Sequence, residues 1–355
     1  MIQAGLIRKA AGQFLGSEDK VLITPLGQGL IHLTYRVDPP EPGKSILLQA
    51  LNTRVFPKPA DILHNYLAVF NFLEGQQSFH IPAPVKTIEG GLLWVDDAKN
   101  SWRATVFMPN TYSPLVAGNA GDAGTVASVF GGFTRCLAKL DIGGLRVILP
   151  DFHNLVRRYG DLQKAILSAL PARREAASQA IGQALGRENL VNFYASIRQS
   201  PEFPDRVTHH DCKISNILFD KSNGQVICPV DLDTVMPGKC FSDLGDMIRS
   251  MACSQDENSR ELDQLELLPD FYRSIVGGYL DGMGDLLGAA EKKHIHFSGL
   301  MMVYMQALRF LEDFLRGDSY YQTSYSDQNL DRALNQLTLL DKLEFFLQQE
   351  YQFRG

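Results

Sequence analysis

The sequence predicts an α+β fold of two lobes, a small mixed β/α N-terminal lobe over residues 1–108 and a larger, mainly helical C-terminal lobe over residues 109–355. Three observations predict it. Short apolar runs broken by Gly and Pro fill most of the first hundred residues, several with period-two alternation. Apolar positions then recur at helical spacing from residue 120 onward, and two strand-like runs interrupt that helical part between residues 216 and 230. At 355 residues and 45% hydrophobic, the chain is long enough to bury a substantial core in two lobes.

The elements follow in order. Ile2, Leu6, Ile7, Ala10 and Phe14 share one helical face in residues 2–15, and an extended segment begins at Val21. In residues 26–37 Gly27 and Gly29 make a turn ahead of an alternating run; after Pro39-Pro-Glu-Pro-Gly43 a strand follows at 45–51. Glycine lets backbone N–H groups come close to oxygen atoms, so such a turn can arch over phosphates or simply close a hairpin. A helix at 59–74, with Ile62, Leu63, Tyr66, Leu67, Phe70 and Leu73 as its apolar positions, and extended segments at 91–95 and 102–108 complete the first lobe. Helical spacing then covers 121–140, 152–170, 173–198, 259–287, 290–316 and 327–346.

The chemistry concentrates in residues 207–238. Runs at 216–219 and 225–230 flank the polar turn Asp220-Lys-Ser-Asn-Gly224, the pattern of a β-hairpin. Asp211 and Asn216 precede its first strand, while Asp231 and Asp233 leave its second. By themselves Asp211 and Asn216 could belong to a capped turn. An apolar strand ending Val230-Asp-Leu-Asp233 is harder to explain that way, because a buried carboxylate without a partner is costly. A carboxylate to take a hydroxyl proton, an amide and a second carboxylate for a hard cation, and Lys213 nearby form the set that phosphoryl transfer needs.

The spacing of Asp211 and Asn216, with Asp231 one hairpin later, resembles the catalytic loop of protein kinases. His209-x-Asp211-x-x-x-x-Asn216 resembles the aminoglycoside phosphotransferase and choline kinase superfamily, in which a small-molecule hydroxyl replaces the protein substrate. Thr208-His-x-Asp-x-Lys-x-x-Asn-x-Leu, Val230-Asp-Leu-Asp-Thr-Val-Met-Pro-Gly238, Asp243-Leu-Gly-Asp-x-Ile-Arg249 and Arg309-Phe-Leu-x-Asp-x-Leu-x-Gly-Asp318 look like the N-acetylhexosamine 1-kinase branch. The likeness is strong over 207–249 and faint in the first hundred residues.

This resemblance implies a protein-kinase-like two-lobe fold, ATP as co-substrate, Mg²⁺, and transfer to the anomeric hydroxyl of GlcNAc or GalNAc. It makes Asp211 the base and Asn216 and Asp231 the metal ligands. Nucleotide contacts fall to Gly27, Gly29, Gln49 and a hinge at Met108. Gln49 stands where a protein kinase carries its phosphate-binding lysine, which leaves Lys213 as the substitute cation. Arg309 and Tyr320 match residues that hold the acetamido sugar, although Arg309 could instead pair with Asp313 one turn on. Asp233 reads as a second metal ligand or as an acceptor for a sugar hydroxyl, and His210 occupies a place where the branch has asparagine. Asp243 and Asp246 read as caps and ties of the helix at 244–249. Rival readings are a kinase for another small alcohol, such as an aminoglycoside, choline or homoserine, and a nucleotide-binding regulator without turnover, suggested by Gln49.

Composition narrows the partners to small molecules. A net charge of −6 and a pI near 5.8, without a basic stripe, give no footprint for nucleic acid. The N-terminus lacks the apolar core of a signal peptide, and no apolar run approaches the roughly 20 residues that span a bilayer. Five scattered cysteines without a Cys-x-x-Cys pair argue against a disulfide framework or zinc knuckle. The expectation is a cytoplasmic enzyme, a monomer or weak dimer, with no membrane partner.

Overall fold

The structure, a computed structural model, describes residues 3–26, 31–40, 43–74 and 79–355. The chain forms two compact units. The first comprises Met1–Ser113, Lys139–Pro150 and Ile217–Met236, and the second Pro114–Ala138, Asp151–Asn216 and Pro237–Gly355.

The first unit is built on an antiparallel sheet in which Leu22–Pro25, Leu33–Asp38, Ile46–Leu51 and Ser101–Val106 pair in that order, with Pro84–Val85 and Trp94–Val95 both added to Ser101–Val106. Period-two alternation gives this sheet one apolar face. Val37, Leu48 and Trp102 meet the helix Ala4–Leu15 there, through Ile7, Ala10, Ala11 and Phe14, as the sequence spacing predicts. The gap of the glycine turn at Gly27 and Gly29 lies outside the described residues. The helix Pro59–Leu73 starts with proline at its first position, which needs no N–H donor there. The hairpin Ile217–Asp220 and Val226–Pro229 also belongs to this unit and adds Thr111–Tyr112 as a third strand. Its register, Ile217 opposite Pro229, brings the chain to Asp231 at the same end as Ile217.

The second unit is helical. The helices Ala120–Cys136 and Pro269–Met283 approach closely enough that a Cβ on Gly278 or Gly282 would collide with the carbonyl oxygen of Gly124 or Ser128. Helix Phe297–Leu315 is buried along almost its whole length and packs against Leu155–Ser168, Cys240–Met251 and Gln328–Tyr351.

Three helical expectations change. Residues 173–198 are three helices, Pro171–Ala176, Ser178–Leu185 and Glu188–Gln199, because the chain turns at Ala177 and again at Gly186, a weak helix former. The helix expected at 259–287 begins only at Pro269; Leu268 is extended, as residues before proline are, and Leu267 is bridged to Cys253. The stretch 290–316 breaks at His294–His296, where His296 accepts or donates a bond with the Tyr272 hydroxyl at 2.8 Å and stacks on Tyr351.

Candidate active site

The loop carrying Asp211 follows the strand Arg206–Thr208 in the second unit. Two successive backbone N–H groups, those of His209 and His210, donate to the two oxygens of Asp243 at 3.0 and 2.8 Å. Asp243 is fully buried in the first turn of helix Cys240–Met251, so one helix fixes the loop's entry. The His209 ring lies edge-on to Phe130, centroids 5.1 Å apart. His210 sits in the left-handed region at φ +64. Asparagine, aspartate and histidine enter that conformation more readily than most residues.

Asp211 is then held from its own loop. Its Oδ2 receives Lys213 Nζ at 2.9 Å and Asn216 Nδ2 at 2.8 Å, and Asn216 Nδ2 also bonds the Asp211 carbonyl. With its NH₂ committed, Asn216 presents Oδ1 as a hard oxygen donor. Lys213 is thus tied to Asp211. Burial raises the pKa of Asp246, and the charge of Asp211 adds to this, while Arg249 at 3.2 Å works the other way.

Gly238 backs this loop. A Cβ there would fall 2.6 Å from Thr208 Oγ1 and closer still to His210 Nε2. Gly238→Ala is therefore expected to displace His210 and lower turnover by at least about tenfold, while costing about 1–3 kcal/mol of stability as overpacking does. Steady-state rates beside a urea unfolding curve check this; wild-type turnover would mean the loop absorbs the methyl.

In the first unit Asp231 leaves the hairpin at φ +61, an uncommon conformation for aspartate, and opens the 3₁₀ turn Leu232–Thr234. Asp233 does not offer a free carboxylate to substrate. It is 2% exposed, and its oxygens receive Arg103 Nη1 at 2.5 Å and His32 Nε2 at 2.6 Å. Burial alone would raise its pKa, but Arg103 and His32 outweigh it and hold the carboxyl down at about 2. Asp233 thus ties the turn to Arg103 and His32. Gln49 joins the same network: its Oε1 accepts from Arg103 Nε at 2.9 Å and its Nε2 donates to Thr34 Oγ1 at 3.2 Å. The Met108 carbonyl takes the Thr111 hydroxyl at 2.9 Å.

Arg309 lines a cleft of about 280 Å³ in the second unit, with Arg158, Tyr320 and Tyr321. The ion pair with Asp313 does not form: Arg309 Nη1 donates to Gln306 at 3.1 Å, and its guanidinium lies over Phe152 and Tyr321. Asp313 instead accepts the backbone N–H groups of Ser319, Tyr320 and Tyr321 at 2.8–2.9 Å. Glu312 is paired with Arg316 at 2.8 Å. Arg158 has a buried Nε without a partner among the described residues, and its pKa is lowered by burial and by Arg309. Tyr320 is 64% exposed and meets Tyr321 edge-on.

Sequence reasoning missed Arg103, His32 and Arg158. A charged residue inside the apolar strand Ser101–Val106 was the available signal for Arg103, since a buried cation requires a partner.

Solved structures share this fold. The chain is similar to a microcompartment-associated aminopropanol kinase at 16% identity, covering 98% of each chain with a TM-score of 0.64. It is similar to an aminoglycoside phosphotransferase of Alicyclobacillus acidocaldarius at 12% identity, covering 99% and 97%, TM-score 0.61. Plasmodium vivax ethanolamine kinase matches at 12% identity over 91% and 83%, TM-score 0.59. The fold is protein-kinase-like, and the class it defines with this loop is the small-molecule phosphotransferases. Residues 22–273 match the family model described as the phosphotransferase enzyme family, APH, and the chain belongs to that family.

Proposed function

We propose that the protein is an ATP- and Mg²⁺-dependent kinase for a neutral sugar, transferring the γ-phosphate to the anomeric hydroxyl of an N-acetylhexosamine. The observation that carries the choice of acceptor is the charge of the Arg309 cleft. Three guanidiniums, Arg158, Arg309 and Arg316, face two carboxylates, Glu312 and Asp313, which already have partners. An ammonium acceptor would meet an excess of like charge there, as would the amino alcohols named for two of the similar structures. A polyol with an acetamido oxygen supplies acceptors for those donors.

The residues fit Mg²⁺. Among the described residues no three His, Cys, Asp or Glu side chains cluster as ligands, and Mg²⁺ needs only one or two from the protein when phosphate and water fill its octahedron. Asn216 Oδ1 and the Asp231 carboxylate would serve. Bound Mg²⁺-ATP supplies the transferable phosphoryl group and the neutralising charge. Asp211, with Oδ2 pinned by Lys213 and Asn216, takes the hydroxyl proton at Oδ1. An anomeric hydroxyl is more acidic than its neighbours and asks less of that base. Lys213 screens the charge that gathers beside Asp211, and Met108 with the glycine turn receives the nucleotide. Among the described residues no helix is long and apolar enough to cross a membrane, and the five cysteines are free thiols. We place the enzyme in the cytoplasm.

An ADP-release screen over N-acetylhexosamines, hexoses, aminoglycosides, choline, ethanolamine and aminopropanol tests this, with phosphorus NMR of the product. Coupling of phosphorus to the anomeric proton is the expected result. A 6-phosphate, or turnover with only the cationic alcohols, would overturn the sugar 1-kinase reading. Arg309→Ala is expected to raise KM for the sugar ~10–100-fold, as loss of a hydrogen bond to a charged group worth about 1.5–3 kcal/mol does, with kcat nearly unchanged. A fall in kcat at constant KM would move Arg309 out of acceptor binding.

A further inference from the structure

The strand position that carries a phosphate-binding lysine in protein kinases holds Gln49, yet a cation stands directly beside it. Arg103 is Gln49's register partner on the neighbouring strand, 4% exposed, and its guanidinium bonds Gln49 and Asp233 together. Asp233 lies two residues after Asp231, in the turn that Asp231 opens. The other Asp233 oxygen is held by His32, whose Nδ1 accepts the Asn52 N–H at 3.0 Å; Nε2 therefore carries the proton given to Asp233. On its far side the turn is gripped by Asn65, whose Nδ2 donates to the Val235 carbonyl at 2.8 Å. Asp231 is left-handed at φ +61, and these bonds fix the turn that it opens.

We propose that Arg103 is the positioning residue for the metal-holding turn, acting from the adjacent strand through Asp233. This rests on the reading of Asp231 as a Mg²⁺ ligand. It also explains Gln49, which must be an acceptor here, because a lysine would set a second buried cation against Arg103.

The test is equilibrium binding of a non-hydrolysable ATP analogue across a Mg²⁺ titration, beside urea unfolding of the free protein. Arg103→Lys, which keeps the charge but not the fork, should raise the half-saturating Mg²⁺ concentration ~10–100-fold, the usual effect of losing an outer-shell partner. Gln49→Lys should do the same although it restores the kinase-like residue, and Gln49→Ala, which keeps Arg103 on Asp233, should move it much less. The Arg103→Lys, Asp233→Asn double variant should be no worse than the worse single variant. An unchanged Mg²⁺ midpoint in folded Arg103→Lys, or additive effects in the double variant, would overturn the proposal. Asp231→Asn separates the two readings. If it shifts the midpoint and Arg103→Lys does not, only this inference fails; if it does not shift it, the metal reading fails with it.

Discussion

Asp211→Asn is expected to slow turnover ~10²–10⁴-fold, the range for loss of a general base, while leaving the affinity for Mg²⁺-ATP nearly unchanged. The amide is isosteric with the carboxylate, and one oxygen remains to receive Lys213 and Asn216, so the loop keeps its geometry. On the proposed reading, what disappears is basicity toward the acceptor hydroxyl. Single-turnover rates with saturating acceptor, together with analogue binding by titration calorimetry, separate the two quantities. A variant at wild-type rate would remove Asp211 from proton transfer, and one that lost nucleotide affinity to the same extent would make it a nucleotide contact.

Asp243→Ala should be the most damaging change outside the residues that meet substrate. It would strand the N–H groups of His209 and His210 in a buried setting, at about 1–3 kcal/mol each, and about 2–6 kcal/mol is a large part of the 5–15 kcal/mol a domain has. Turnover should fall along with stability, because His210 and Asp211 are consecutive and the first would lose its restraint. Asp243→Asn keeps one acceptor and turns an NH₂ toward the second donor, so an intermediate loss is expected. Urea midpoints for both variants, with rates measured well below each midpoint, decide the matter. Wild-type stability in Asp243→Ala would show that the loop finds other partners for its backbone.

Much of this was legible in the sequence because the signals were local. The hairpin at 217–229 follows from two apolar runs and a polar turn, and the helices at Ala4–Leu15 and Pro59–Leu73 from period and proline placement. The Asp211 to Asn216 spacing likewise reports the bonds that Asn216 makes to Asp211, five residues away. What could not be read depends on contacts distant in sequence. The Arg103–Asp233 pair joins residues 130 positions apart, and nothing near Val230 says that Asp233 is spent on the strand Ser101–Val106. The Asp313 carboxylate misled for a related reason: at one turn from Arg309 it is placed for an ion pair, but three N–H groups of the segment after the helix reach it instead. The breaks at Ala177, Pro269 and His294–His296 were lost because apolar spacing continues through them.

The single carboxylate of Asp313 gathers residues 319–321 and, through Asn329 at 3.0 Å, the start of the last helix. One side of the Arg309 cleft is therefore a short segment that Asp313 gathers, set apart along the chain from the Asp211 loop. On the proposed reading of that cleft, acceptor taste has a natural address: the stretch from Tyr320 to Tyr325 can be rewritten in a library while Asp313 and Asn329 are kept constant.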